Sequence, residues 1–310
     1  MVRFLLWAVM TAAAIPAAAI ARVLQVGDAK EFKVPSGAVR EAHDGDTIAI
    51  YPGQYVDCAV VTGNKLVIEG IGKADAVVMT DKSCQGKAIL VTTGQGITIR
   101  NMTLTRSRVP DGNGAGIRQE GRDLTVDGVR FVNNQNGILS GVRGGFIVVR
   151  NSQFERNGAC DRACAHGLYV GPVDLLRVER SRFYETKRGH HIKSRALRTE
   201  ITDCTIEDGP DGTASYEVDI SNGGTLIARN NTIVKGPNAE NHSAAIIIGA
   251  EGIEQLTKEI TIEKNTFRNE GPWQAIFVNN MTATDAELRG NAISGKVQPL
   301  KGDGHVFAEE

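Results

Sequence analysis

Ile97-Thr-Ile-Arg-Asn-Met-Thr-Leu104 and, starting 27 residues later, Leu124-Thr-Val-Asp-Gly-Val-Arg-Phe131 share an eight-place pattern that returns six more times. It reads again as Ile147-Val-Val-Arg-Asn-Ser-Gln-Phe154, Leu176-Arg-Val-Glu-Arg-Ser-Arg-Phe183, Thr199-Glu-Ile-Thr-Asp-Cys-Thr-Ile206 and Leu226-Ile-Ala-Arg-Asn-Asn-Thr-Ile233. Ile260-Thr-Ile-Glu-Lys-Asn-Thr-Phe267 and Ala286-Glu-Leu-Arg-Gly-Asn-Ala-Ile293 complete the series. Apolar residues recur at the first, third, sixth and eighth places, with varying completeness. Such alternation belongs to strands, whose successive side chains point to opposite faces. The phase switches midway, so each unit is predicted to bend at a corner.

A second short strand follows each unit, opened by glycine in Gly116-Ile117, Gly137-Ile138, Gly167-Leu168 and Gly189-His190, with later equivalents at 216–220, 245–248 and 275–278. The units start 27, 23, 29, 23, 27, 34 and 26 residues apart, a minimum near 23 with variable loop insertions. Propeller blades need about 40 residues, so that fold is excluded. The pattern predicts an all-β chain, a parallel β-solenoid whose core is a stack of aliphatic ladders. Its regular coils run over 97–293, with Leu66-Val67-Ile68 as an irregular earlier coil. Asn231, Asn265 and Asn291 share the sixth place, where stacked amides can bond from coil to coil. Asn101, Asn151 and Asn230 share the fifth. An open solenoid end needs protection, and Ser36-Gly-Ala-Val-Arg-Glu-Ala42 is predicted as a short N-terminal capping helix.

The 310 residues are 41% hydrophobic, enough for a sizeable core and against disorder. With 35 basic against 36 acidic residues the net charge is −1, which argues against nucleic acid as a partner. The first 21 residues have another character: a basic Arg3, an apolar run to Ala14, Pro16, then Ala19-Ile20-Ala21 as a small-x-small cleavage site. This predicts a signal peptide over 1–21 and a single exported domain over 22–310, periplasmic or secreted, free of the membrane once cleaved, and monomeric. Five cysteines fit an oxidising compartment. Cys58 and Cys84 suit a bridge between neighbouring coils, and Cys160 and Cys164 enclose a small loop and suit a local pair. Cys204 is then a buried thiol. A zinc reading of Cys160, Cys164 and His166 lacks a fourth ligand at suitable spacing.

The repeated units, with the opening Ala38-Val-Arg-Glu-Ala-His-Asp-Gly-Asp-Thr-Ile-Ala-Ile-Tyr-Pro-Gly-Gln-Tyr55, resemble the right-handed parallel β-helix superfamily of pectate-lyase-like proteins over residues 34–293. The segments His-Gly-Leu-Tyr-Val, Gly-His-His-Ile-Lys-Ser-Arg and Ser-Tyr-Glu-Val-Asp-Ile-Ser-Asn-Gly-Gly are similar to those of uncharacterised exported bacterial β-helix repeat proteins. The resemblance implies a fold. The superfamily holds lyases, hydrolases, uronate epimerases and non-enzymatic surface proteins, so it does not choose a reaction. The Asp-Pro-His signature of alginate epimerases is absent, and no acidic calcium cluster is evident unless Asp203, Glu217 and Asp219 make an unusual one. No cofactor or metal is expected, a calcium ion being allowed but not indicated.

Counting back from each following unit puts Leu139, Tyr169, His191, Asp219, Ile247 and Phe277 in one column, with Leu168, Val218 and Ile246 on the opposite, inward parity. Tyr169, His191 and Asp219 are then expected to project outward on successive coils about 4.8 Å apart. Lys193 and Arg195 share the parity of His191, and Glu217 that of Asp219. Singly these have ordinary readings as surface charges, ion pairs or packing residues. Together they suggest a site for an acidic polysaccharide or oligosaccharide. Lys193 and Arg195 would neutralise a uronate carboxylate, His191 remove the C5 proton and Tyr169 protonate the leaving oxygen, a lyase-like β-elimination. Reprotonation at C5 would instead make an epimerase. Glu217 and Asp219, two apart on one face, allow inverting glycoside hydrolysis as an alternative. A non-catalytic glycan-binding protein is a further one, with Trp273 and Phe277 as stacking platforms. His166 and His190 are counted with them as substrate-binding candidates, His190 carrying inward parity. The insertions at 237–243 and 249–258 are expected to wall the groove.

Overall fold

The computed structural model describes residues 21–160 and 164–307. The expected signal peptide therefore lies outside the described residues except for Ala21, as does the Asp161-Arg162-Ala163 loop. The repeat unit accounts for the local structure directly. All eight fifth-place residues, Asn101, Gly128, Asn151, Arg180, Asp203, Asn230, Lys264 and Gly290, adopt φ between 46° and 66°. That left-handed conformation is the corner the phase switch predicts. Glycine and asparagine reach it at low cost, whereas Arg180 and Lys264 are held there by their surroundings.

Before the corner lies one strand, after it another, and a third closes the coil. Stacked coil on coil these make three parallel sheets, of twelve, ten and ten strands among the described residues. The longest runs from Val23–Val26 through Ile97–Arg100 to Gly304–Phe307, so the solenoid extends past both ends of the recognised repeat. Equivalent places of the units face each other: Ile97, Leu124 and Ile147 are in register, as are Phe131 and Phe154. The fold is a right-handed parallel β-helix. Among the described residues no helix is long and apolar enough to cross a membrane.

The interior is a set of ladders. Phe131, Phe154 and Phe183 stack with centroids 4.6 and 4.4 Å apart. Burying a side chain of this size is worth about 1.5–3 kcal/mol. The amide ladder forms as expected, Asn231 Nδ2 donating to Asn265 Oδ1 at 2.9 Å and Asn265 Nδ2 to Asn291 Oδ1 at 3.0 Å. Cys204 holds the same place one coil earlier, donating its thiol to the Thr202 carbonyl much as Ser181 donates to Glu179. Burial pushes this free thiol up to about 12. Helix Pro35–Glu41 covers the N-terminal end with Pro35, Ala38 and Val39 turned inward. Disulfides join Cys58 to Cys84 and Cys160 to Cys164, so the latter pair is not free to hold zinc.

The third sheet departs from simple alternation. Ala245 and Ile246 are consecutive and both in the core, as are Phe277 and Val278. Both members of each pair are buried although they are neighbours in one strand, so inward and outward do not alternate at that point. From there alternation resumes.

Candidate functional site

The outer face of the third sheet carries a column fixed by strand pairing: Arg118, Leu139, Tyr169, Lys193, Asp219, Ile247 and Asn279. Lys193, not His191, therefore stands between Tyr169 and Asp219, and Asn279, not Phe277, follows Ile247. The link to the next coil varies, Lys193 standing six residues before Thr199 but Tyr169 seven before Leu176, so counting back along the sequence slips.

The same departure from alternation exchanges the two histidines. His190, expected inside, lines the groove, while His191, expected outside, is wholly enclosed. His191 Nδ1 is 2.7 Å from Thr186 Oγ1 and Nε2 3.1 Å from Asp208 Oδ1. Its neighbour across the coils, Glu217, is equally enclosed, 3.4 Å from the buried ammonium of Lys235. Burial pushes the Glu217 carboxyl well above the usual range against the pull of Lys235. Burial also opposes ionisation of Asp208, but the bond to His191, the nearby Lys235 ammonium and the Gly236 N–H together hold it below its ordinary value. Neither His191 as a base for a bound polymer nor Glu217 paired with Asp219 for hydrolysis is compatible with these positions, because both side chains face the interior.

On the groove side Cys164, His166, Tyr169, His190, Lys193, Arg195 and Glu240 line a cavity of about 320 Å³. Lys193 Nζ donates to Asp219 Oδ2 at 3.0 Å and to Glu251 Oε1 at 2.5 Å. Arg195 donates from Nε to the Tyr169 hydroxyl at 3.0 Å, from Nη2 to Glu251 Oε2 at 2.5 Å, and from Nη1 to Asn222 Oδ1. Asp219 Oδ2 also accepts from Ser221 Oγ at 2.8 Å and lies 3.4 Å from His190 Nε2, whereas its buried Oδ1 has no protein partner. The insertions at 237–243 and 249–258 do wall this groove, supplying Glu240 and Glu251.

The two groove histidines are stacked 4.7 Å apart. His166 Nδ1 accepts the His190 N–H at 3.0 Å, and His190 Nδ1 accepts the Tyr216 N–H at 3.3 Å, so in each neutral ring the proton sits on Nε2. Burial and then Lys193 lower His190 to about 3. Burial, His190, Lys193 and Arg195 lower His166 well below its ordinary value. Both are neutral donors at physiological pH. Burial works against Lys193, yet Asp219 and Glu251 more than offset it and raise it. Asp219 itself is pushed up by burial in spite of Lys193.

Other expected residues fall elsewhere. Phe277 is a core residue stacked 4.8 Å from Phe267 and offers no platform. Trp273 is half-buried under His242, ring centroids 3.5 Å apart. Asp203 sits at a corner, Glu217 inside and Asp219 in the groove, so these three do not form a calcium cluster, and among the described residues no group of three His, Cys, Asp or Glu side chains is placed to hold a metal ion. A larger hollow of about 660 Å³ is lined by Asp44, Asn64, Gln95, Asp123 and Phe146. Its polar groups bond one another from rung to rung, and neither tyrosine nor histidine is among the residues lining it. Glu251 and Asn222 were not singled out by sequence: a loop residue has no register to predict it, although loops on a rigid scaffold are where such groups collect.

Residues 160–300 match the family described as the right handed beta helix region. No curated protein matches the chain. Among solved structures it is similar to an alginate lyase from Paenibacillus sp. str. FPU-7, with a TM-score of 0.71 and 18% identity over 91% of this chain and 99% of that one. A pectin methylesterase from Aspergillus niger aligns with a TM-score of 0.48 and 12% identity, covering 94% and 93% of the two chains. The A-module of a mannuronan C-5 epimerase from Azotobacter vinelandii aligns at 0.42 and 16%, covering 89% and 96%. The first likeness establishes a shared fold.

Proposed function

We propose that this parallel β-helix is an exported enzyme that cleaves a uronic-acid-containing polysaccharide by β-elimination in the groove around Tyr169, Lys193 and Arg195. The observation that carries the reading is two cations and a phenol projecting side by side into one cavity, the phenol oxygen 3.0 Å from Arg195 Nε. A fold shared with an alginate lyase supports it, since that scaffold accommodates such chemistry.

The proton at C5 of a uronate is weakly acidic until the adjoining carboxylate is neutralised. Lys193 and Arg195 supply that neutralisation, charge-assisted bonds from two donors being strong and directional. With His191 inside the coil, the proton exchange falls to Tyr169. Its oxygen accepts from Arg195, which leaves its own O–H to point at the sugar. As the C5–H bond breaks, the electron pair forms the C4=C5 double bond and the C4–O4 bond opens. O4 takes the phenolic proton and the phenolic oxygen takes the C5 proton, so Tyr169 ends unchanged. The nearby guanidinium balances charge that develops on the oxygen during transfer. His166 and His190, both neutral Nε2–H donors, suit hydroxyl or ring oxygens of the polymer. Asp219 positions Lys193.

The test is incubation with a panel of uronate polymers, following the ultraviolet absorbance of the new double bond and the release of reducing ends. Both signals together are expected. Reducing ends without absorbance would replace elimination by hydrolysis, and binding without either signal would leave a glycan-binding protein.

A further inference from the structure

Glu251 occupies the place the preceding reading gives to the substrate. Its two carboxylate oxygens accept separately from Lys193 Nζ and Arg195 Nη2, each at 2.5 Å, the two-donor grip a sugar carboxylate needs. Nothing else bonded to those cations is a loop carboxylate. Glu240, on the other insertion, is held by Arg188 at 3.0 Å.

The surroundings make Glu251 removable. Its side chain is 44% exposed, whereas that of Lys193 is 8% exposed. Glu251 is flanked by Gly249 and Gly252, with φ of 83° and 95°, conformations in which glycine lets the backbone turn freely. Ion pairs with an exposed partner are weak and are screened by salt. When Glu251 leaves, neither cation is orphaned: Lys193 keeps Asp219, and Arg195 keeps Tyr169 and Asn222. Counting Lys193, Arg195, Asp219 and Glu251, the closed cluster is neutral and the opened one has a surplus of one positive charge. It is then ready for one carboxylate.

We propose that Glu251 is an internal stand-in for the substrate carboxylate, which an incoming uronate displaces and a neutral sugar does not. This rests on the groove being a uronate site. It adds that the loop at 249–258 selects for charge by competing with the ligand, so that the resting enzyme covers its own carboxylate subsite.

The experiment is calorimetric titration of monomeric glucuronate, with glucose as the neutral control, into the full chain and its Glu251→Gln and Glu251→Ala variants. Both variants are expected to bind glucuronate about tenfold more tightly than wild type, about 1.4 kcal/mol, with glucose bound by none. Adding Lys193→Met to Glu251→Ala is expected to abolish the gain. Equal affinity in all three proteins, including no measurable binding in any, overturns the inference. Turnover of uronate polymer by wild type, measured in parallel, keeps the two ideas apart. An opened anion site with no polymer cleavage sinks the reaction and upholds the stand-in, whereas cleavage with equal affinities sinks the stand-in alone.

Discussion

Two charged clusters stand back to back on strands His190–Ser194 and Tyr216–Ile220. The groove cluster holds His190, Lys193 and Asp219, and the interior cluster holds His191, Glu217, Asp208 and Lys235. Their compositions are nearly the same: imidazole, ammonium and carboxylate, drawn partly from adjacent residues. What differs is closure. Inside, His191 is bonded at both ring nitrogens and Lys235 spends its ammonium on Glu217 and the Ser215 carbonyl, leaving no path to solvent. Outside, Tyr169, Arg195 and Glu251 are partly exposed, and Asp219 keeps one oxygen with no protein partner. A concentration of polar residues thus marks two places here, and access to the groove separates the one suited to chemistry from the one that ties the coil together.

Substitutions on the two faces should part company by readout. Tyr169→Phe, on the groove side, is expected to lower kcat on uronate polymer by about 10²–10⁴-fold, the usual share of a positioned proton-transfer group. Its stability should change by no more than about 1 kcal/mol, the net worth of one hydrogen bond. Full activity in the purified variant would erase the functional half of the contrast. Lys235→Met, on the interior side, should do the reverse. It strands a fully buried carboxyl, and breaking such a pair costs about 3–5 kcal/mol, read as a lower denaturant midpoint. The folded fraction should keep its turnover per molecule. Pairing it with Glu217→Leu is expected to recover most of the loss, because an apolar pair of similar volume avoids the desolvation penalty. A stable Lys235→Met protein with lost activity would move the chemistry indoors.

The repeat made the fold legible because one local requirement, a left-handed corner between two strands, recurs with apolar places at fixed distances from it. Asn101, Asn151 and Asn230 record the corner, and Asn231, Asn265 and Asn291 the ladder beside it. The groove residues were legible as a set, since Tyr169, Lys193, Arg195 and Asp219 share one parity. Their partners were not. His190 and His191 are adjacent, and alternation does not say which one faces out, because His191 and its neighbour Ile192 are both buried. Glycine carried the missing signal: a Cβ at Gly116 or Gly137 would stand 2.7 or 2.6 Å from the Phe131 or Phe154 ring. Strand pairing sets His191 level with Gly116, Gly137 and Gly167 before it and Glu217, Ala245 and Phe277 after it, all of them buried.

The smallest effect in the contrast is a pH dependence of stability that belongs to the groove. His190 is held near 3 in the fold by burial and then by Lys193, against about 6.5 when unfolded. Between those values the unfolded chain binds a proton the folded one refuses. The contribution is therefore complete above pH 6.5 and is lost progressively as the pH falls towards 3. By pH 5 the loss is about 2 kcal/mol for one such histidine, and His166, lowered in the same direction, adds to it. Denaturant midpoints measured from pH 7.5 to 5 should fall in wild type and fall less in His190→Gln, which keeps a polar side chain of similar reach but cannot be protonated in this range. If the two slopes coincide, His190 does not differ in protonation between the folded and unfolded chain over this range, and its lowering by burial in the groove fails with it.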